Sequence, residues 1–355
     1  MKIKAIRSSL RNVPLKKPYT IASDSFSEVS LAFMEIELAN GIIGYGSGSP
    51  AEEVVGETSA MTFTNLQSDF IQCMKGEDIR QFQQLIYNTR QHFKALPGTQ
   101  ATIDIALHDA FCKWAGIRIV DFFGQKMNSL PTSVTIGIKD VAATLLEANE
   151  YYKQGFRVLK IKLGLNPLED IERILKLDEL FRGSVVIRVD ANQGYDLFNL
   201  IKFINATARV HVELIEQPLP IGTEKSVLSL SVDVRKKLVA DESLKDPASA
   251  LQWAAAEPCF GNYNIKLMKF GGIAAASEIA TIAAPAGIDL FWGCNDESII
   301  SITAALHLAY SCPHTKYIDL DGSFDLTQDY VDGGFTIKDG HLLLTDEPGL
   351  GVRML

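Results

Sequence analysis

The sequence predicts an α/β protein: a closed barrel of alternating strands and helices, preceded by a smaller α+β region. Three observations point there. The chain has 355 residues, enough for one large barrel and an additional region. After residue 130, eight short apolar runs alternate with longer amphipathic segments, as repeated strand-helix units require. The residues before them read first as strands and then as helices.

In the first 50 residues, MEIEL (34–38) and IIGYG (42–46) flank Asn40-Gly41, a dipeptide suited to a tight hairpin turn. From about residue 57 to 125 the apolar period lengthens toward 3.6. Ile103, Leu107, Ala110 and Phe111 fall on one helix face, and Gly116 can end that helix. The eight runs occupy residues 132–138, 158–164, 185–191, 212–218, 237–243, 263–269, 288–294 and 317–322. Closing eight parallel strands into a barrel removes their unpaired edges. The expected divisions are residues 1–128, 129–322 for the barrel, and 323–355 for a tail that returns to the N-terminal strands.

Composition narrows the function. Apolar residues make up 47% and charged residues 22%, which excludes a disordered or collagen-like chain. The net charge is −9 and no dense Lys/Arg cluster is present, so neither nucleic acid nor an anionic membrane is the expected partner; a small molecule is. Five widely spaced cysteines without a C-x-x-C pair indicate neither a disulfide framework nor a zinc site, and fit a cytoplasmic location. The apolar stretch 273–292 is broken by Ser277, Glu278 and Asp289, so no membrane crossing is expected.

Chemistry-bearing residues recur near the ends of the runs: Lys162, Asp190, Glu216, Asp241, Lys266, Cys294 and Asp319, each 25 to 28 residues after the last. Helix N-caps account for Asp190 or Asp241 singly. Three carboxylates ending three adjacent strands instead point to one hard, oxygen-liking cation such as magnesium. Lys160 and Lys162 share one face of the second strand, and Lys266 belongs to the sixth. Strands two and six of eight stand on opposite walls, so the two amines can address one carbon from both sides. A nearby cation and a second lysine would lower a lysine pKa toward that of a useful base. Removing a proton beside a carboxylate builds an enediolate, which a divalent cation and ammonium groups stabilise, and returning it on the other face inverts a stereocentre.

K-I-K (160–162), D-A-N-Q-G (190–194), E-Q-P (216–218), D-E-S (241–243) and K-L-M-K-F-G-G (266–272) together resemble the enolase superfamily, muconate-lactonising subgroup. The resemblance covers nearly the whole chain, and implies a modified (β/α) barrel of the TIM type under an α+β capping domain. G-C-N-D-E-S (293–298) and D-L-D (319–321) resemble the dipeptide epimerases within it. That resemblance implies one Mg2+ per subunit on Asp190, Glu216 and Asp241, and Lys162 and Lys266 as the acid/base pair. It further implies Lys160 beside the substrate carboxylate, Asp319 and Asp321 on the dipeptide ammonium, Thr135 as a further substrate contact, and a homo-oligomer.

In family members acting on Ala-Glu, a loop after the first strand offers a cation to the glutamate side chain. Asp24 stands where that cation is expected here, which disfavours Ala-Glu. With Glu52, Glu53 and Asp296 it favours dipeptides with basic side chains. Asn295 replaces the methionine that many relatives carry, and Cys294 stands where mandelate-type racemases place an imidazole, which disfavours that activity. o-Succinylbenzoate synthase and muconate cycloisomerase share the lysines and metal, but their substrates have no ammonium for Asp319 and Asp321. The remaining alternative is a non-catalytic protein that keeps an enolase-like barrel.

Overall fold

The computed structural model of the chain describes residues 1–20, 25–254 and 257–355. Strands β1 (Ile3–Thr20), β2 (Ser25–Leu38) and β3 (Ile43–Gly48) form an antiparallel sheet. Asn40-Gly41 makes the turn between β2 and β3: Gly41 has φ 88°, and Leu38 N–H bonds Ile42 O at 2.8 Å. Gly44, Gly46 and Gly48 alternate along β3 on one face. A Cβ at any of them would collide with Ala106, Ala110 or Thr102, so this face admits the helix Pro97–Ala115 at closer range than side chains allow.

That helix is buried nearly all round because it lies between two cores. Ile103, Ala106, Leu107 and Ala110 pack with Met34, Ile36, Leu38, Phe82 and Ile86, whereas Ala101, Ile105 and Cys112 face the barrel core. Pro97 occupies its first turn and Gly116, at φ 70°, ends it as the sequence predicts.

After β4 (Leu130–Pro131), all eight runs contribute strands: β5 (Val134–Ile136), β6 (Val158–Lys162), β7 (Val186–Asp190), β8 (Val212–Glu216), β9 (Leu238–Ala240), β10 (Asn262–Ile265), β11 (Asp289–Trp292) and β12 (Thr315–Ile318). They pair in this order as one parallel sheet, and a parallel bridge from Thr132 to Ile318 brings its two edges together. Helices such as Val141–Lys153, Pro167–Phe181, Ile273–Ala286 and Ile299–Ser311 cover the outside.

Two strand ends differ from expectation. The run 263–269 is strand only to Ile265; Leu267–Phe270 is a short helix closed by Gly271 at φ 95°. β12 stops at Ile318, because Leu320 N–H turns to Thr132 Oγ1 and Gly322 N–H to the Cys294 sulfur. Asp319 and Asp321 therefore sit in the loop after the last strand.

The C-terminal segment touches both parts. β14 (Phe335–Lys338) and β15 (His341–Leu344) join β4, while β13 (Val331–Gly333) pairs with β16 (Val352–Met354). Lys16 N–H bonds Asp325 O at 2.7 Å and Thr327 N–H bonds Pro14 O at 3.0 Å. Buried Asp109, on the long helix, accepts N–H groups of Tyr45 and Leu350, both at 2.8 Å, and pairs with Lys113 at 2.7 Å.

His307, inside Ile299–Ser311, is buried and accepts the Val120 N–H through Nδ1 at 3.1 Å. Burial pushes its pKa down to about 3. It stays neutral in the fold while the unfolded chain protonates normally. Stability should therefore fall by ~1.4 kcal/mol for each pH unit from about pH 6.5 down to about 3. His307→Gln keeps an acceptor for Val120 and should lose that part of the slope. Urea unfolding of both proteins at pH 7 and pH 5 checks this, and identical losses would refute it.

Candidate active site

At the C-terminal ends of the barrel strands, register sets the level of each side chain. Lys162 is the ladder partner of Asp190, and Asp190 of Glu216. Asp241 directly follows β9, and Lys266 directly follows β10. Below them the barrel interior is filled by Leu214, Val239, Phe291 and Tyr317, with the Arg188 guanidinium 5.5 Å and 5.1 Å from the two rings. The charged groups stand on this apolar floor, away from bulk water.

Buried charge must be matched, and here it is. Lys160 Nζ lies 2.7 Å from Glu216, 2.8 Å from Asp319 and 3.3 Å from Asp190. Burial opposes its charge, but the three carboxylates outweigh it and hold the pKa well above the ordinary value. Lys162 Nζ bonds Asp190 at 2.8 Å and Asn192 Oδ1 at 3.1 Å. Lys266 bonds Asp241 at 2.7 Å, and Lys269 bonds its other oxygen at 2.5 Å and its backbone carbonyl at 2.7 Å. Burial works against the Lys266 ammonium, yet Asp241 and Glu216 hold its pKa above the ordinary value; the lowering expected of this lysine depends on the charge of a cation bound beside it.

Burial would raise both Asp190 and Asp241, but Lys162 with Lys160, and Lys266 with Lys269, hold them below the usual carboxylate range. Glu216 goes the other way: burial and then Asp190 push it up to about 8. Its neighbour Glu242 is raised to about 7 by burial and Asp241; Oε1 accepts from Asn192 at 3.2 Å, and Oε2 is buried with no partner.

Each acid of the predicted trio is turned onto an amine, and among the described residues no three His, Cys, Asp or Glu side chains are gathered as a preformed cage. The donor chemistry nevertheless fits a hard divalent cation. All three acids are buried oxygen donors at the mouth and each is within electrostatic reach of the others, while burial and neighbouring acids disfavour the charged forms of Glu216 and Glu242, so a cation bound beside them would favour their ionisation. Carboxylate rotamers pivot more easily than strands move, so the three acids can turn toward a cation without a change of fold.

The mouth opens into two adjoining clefts, and Lys162 and Lys266 line both. Because β6 and β10 are four strands apart in a sheet of eight, these amines face one space from opposite walls. The first cleft also holds Thr135, Lys160, Asp319 and Asp321, and runs on to Asp325 and Glu147. The second is acidic, with Glu28, Glu52, Glu53 and Glu242 on its walls, and Asp296 lines both.

The two acids of D-L-D differ. Asp319 is already engaged by Lys160 and by Ser133 Oγ at 2.6 Å. Asp321 accepts the Thr135 N–H at 2.7 Å, and burial, Asp319 and Asp325 push it up to about 8, so it is the acid that gains most from a cation. Asp24 lies outside the described residues. None of the six histidines lines either cleft.

Sequence reasoning missed Lys269, although the K-x-x-K spacing after the sixth run was a signal. It also missed Gln217, whose side-chain oxygen receives the N–H groups of Asp241 and Ser243 at 3.0 and 3.2 Å, and Asn264, which bonds Glu216 at 2.6 Å. Asn295 ties the loop after β11 to the N-terminal region through Ser49 O at 3.1 Å.

Comparison with known families agrees with this geometry. Residues 4–124 match the N-terminal domain of mandelate racemase / muconate lactonizing enzyme, and residues 143–355 match the enolase C-terminal domain-like family. The chain belongs to the mandelate racemase / muconate lactonizing enzyme family of the enolase superfamily. Within it, the chain is 46% identical to an L-Lys-D/L-Arg epimerase of Methylococcus capsulatus, over 99% of both chains. It is 47% identical to one of Desulforapulum autotrophicum, over the full length of both. The crystal structure of the Methylococcus capsulatus dipeptide epimerase with Mg and the dipeptide L-Arg-D-Lys superposes with a TM-score of 0.97 at 45% identity, covering 99% of each chain. The shared capping region and barrel are thus those of this family.

Lys269→Met fills the same space without the charge and leaves one buried Asp241 oxygen unmatched. It should destabilise the protein by about 3 kcal/mol, whereas exposed Glu53→Gln should stay within about 0.5 kcal/mol. Urea denaturation measures both, and equal small effects would show that Lys269 is dispensable to the network.

Proposed function

We propose that the chain is a magnesium-dependent dipeptide epimerase that inverts the α-carbon of the C-terminal residue, acting on dipeptides with basic side chains. The observation that carries this is the pair of lysines, Lys162 and Lys266, facing one cleft from opposite walls beside three buried carboxylates. The likeness to epimerases named for Lys and Arg substrates supports it.

In this scheme one lysine removes the α-proton, and the electron pair of that C–H bond delocalises into the adjoining carboxylate. The other lysine, already an ammonium, returns a proton from the opposite face, so atoms and charge balance over the cycle. Asp190, Glu216 and Asp241 would hold the magnesium ion, which supplies positive charge where the substrate carboxylate gains negative charge. Lys160 adds a fixed ammonium on the same side. Asp321, with Asp319 behind it, receives the dipeptide ammonium, and Thr135 orients Asp321. No such cation exists in substrates of o-succinylbenzoate synthase or muconate cycloisomerase.

The preference for basic side chains is supported by the acidic cleft of Glu28, Glu52, Glu53 and Asp296, and by the extension of the first cleft to Asp325 and Glu147. Asp24 joins this set on sequence grounds. We assign residues 1–128 as the cap, 129–322 as the barrel and 323–355 as a segment bridging them. A homo-oligomer is part of this reading on sequence grounds alone, and five free thiols fit a cytoplasmic location. Among the described residues no helix is long and apolar enough to cross a membrane.

A dipeptide library incubated with the protein and Mg2+ in deuterium oxide should show mass gain first in Lys- and Arg-containing members and least in Ala-Glu. Succinylbenzoate synthesis outpacing every dipeptide would reverse the assignment. Lys162→Ala and Lys266→Ala should each abolish epimerisation while retaining exchange on one stereoisomer. Full epimerisation by either variant would dismiss the two-base scheme. Asp241→Asn should weaken Mg2+ binding at least about tenfold by calorimetry, and unchanged affinity would remove it from the ligand set.

A further inference from the structure

The two amines are not held in the same way. Lys162 ends a central barrel strand, and its partners Asp190 and Asn192 belong to the barrel. Lys266 precedes the short helix Leu267–Phe270, then Gly271-Gly272, then the helix Ile273–Ala286. That last helix begins at a glycine, which has no side chain to bond its first N–H groups.

Those N–H groups are bonded from the N-terminal region instead. Asp104, 1% exposed in the middle of Pro97–Ala115, accepts Ile273 N–H through Oδ1 at 2.9 Å and Ala274 N–H through Oδ2 at 3.2 Å. Its negative charge lies at the positive end of the helix, where both the hydrogen bonds and the macrodipole favour it. One turn earlier, Gln100 is anchored to Phe93 O at 2.8 Å and lies against Gly271. A Cβ at Gly271 would strike Gln100 and one at Gly272 would strike Asp104; both glycines have positive φ, 95° and 101°. His108, one turn later, places Nδ1 3.1 Å from Asp104. The segment leaving Lys266 is thus seated on a helix of the other region, at a contact too close for any side chain.

We propose that Asp104 is a positioning residue for Lys266. By capping Ile273–Ala286 with both carboxylate oxygens, it fixes how far Lys266 projects over its face of the substrate. Among the described residues, no hydrogen bond ties Lys162 or its partners Asp190 and Asn192 to the N-terminal region. The consequence is an asymmetry: the cap, through Asp104, governs proton transfer at one face and not at the other. The inference rests on Lys162 and Lys266 serving as the two bases.

Exchange of the α-hydrogen for deuterium reads each face separately when one lysine is removed. Lys162→Ala leaves only the Lys266 face, and Lys266→Ala only the Lys162 face. Asp104→Asn, which keeps the shape but loses the charge and one acceptor, should lower exchange about tenfold in the Lys162→Ala protein. In the Lys266→Ala protein it should lower exchange by less than about twofold. Asp104→Ala should deepen the first loss and leave the second small. Equal losses at the two faces, or no loss at the Lys266 face in a variant whose near-ultraviolet circular dichroism is native, would overturn the assignment. If Asp104→Ala does not fold, Asp104→Asn gives the same comparison alone. An unsubstituted protein that exchanges no dipeptide would overturn the proposed function itself, and is told apart from the other failures by that control.

Discussion

The matching of buried charge at the mouth of the barrel is the constraint on which the rest depends. An unpaired ammonium or carboxylate on an apolar floor would be strongly destabilising, so acids and amines can persist there only as an interlocked set. Lys160 sits among Asp190, Glu216 and Asp319, and Asp241 sits between Lys266 and Lys269. The same set makes a site. It places amines on two walls and carboxylates on the arc between them, and it leaves Glu216, Glu242 and Asp321 as acids whose ionised forms burial and neighbouring carboxylates disfavour. Those three are the places where an incoming cation is most strongly favoured.

Closure of the barrel and docking of the N-terminal region serve that set. The parallel ladder levels Lys162, Asp190 and Glu216, while left-handed backbone at Asn192, Gln193 and Gln217 turns the following loops back over the strand ends. The helix Pro97–Ala115 is gripped on one side by the glycine face of β3 and presses Asp104 and Gln100 against Gly272 and Gly271 on the other. The cap therefore does more than roof the clefts, because it touches the backbone that carries one of the two amines.

The acidic character of the outer cleft separates what is shared with the family from what is particular to this chain. The inner amines and carboxylates fit enolisation of any carboxylate substrate. In the proposed reading, the walls formed by Glu28, Glu52, Glu53 and Asp296 would select among substrates by charge.

Much of this was legible in one dimension. Short apolar runs separated by amphipathic segments specify eight strands, and the residue type at each strand end names the acids and amines, because side-chain direction along a strand is a local property. Asn40-Gly41 and Gly116 likewise announce their turns through their own backbone freedom. What only the tertiary structure decided is which partner each charge takes. Asp319 turned out to be engaged by Lys160, 159 residues away, while Asp321 remains the more open acid. Lys269 joined Asp241, and Asp104 capped a helix 169 residues along the chain. Such pairings depend on how elements distant in sequence close around one another, and no local periodicity encodes that.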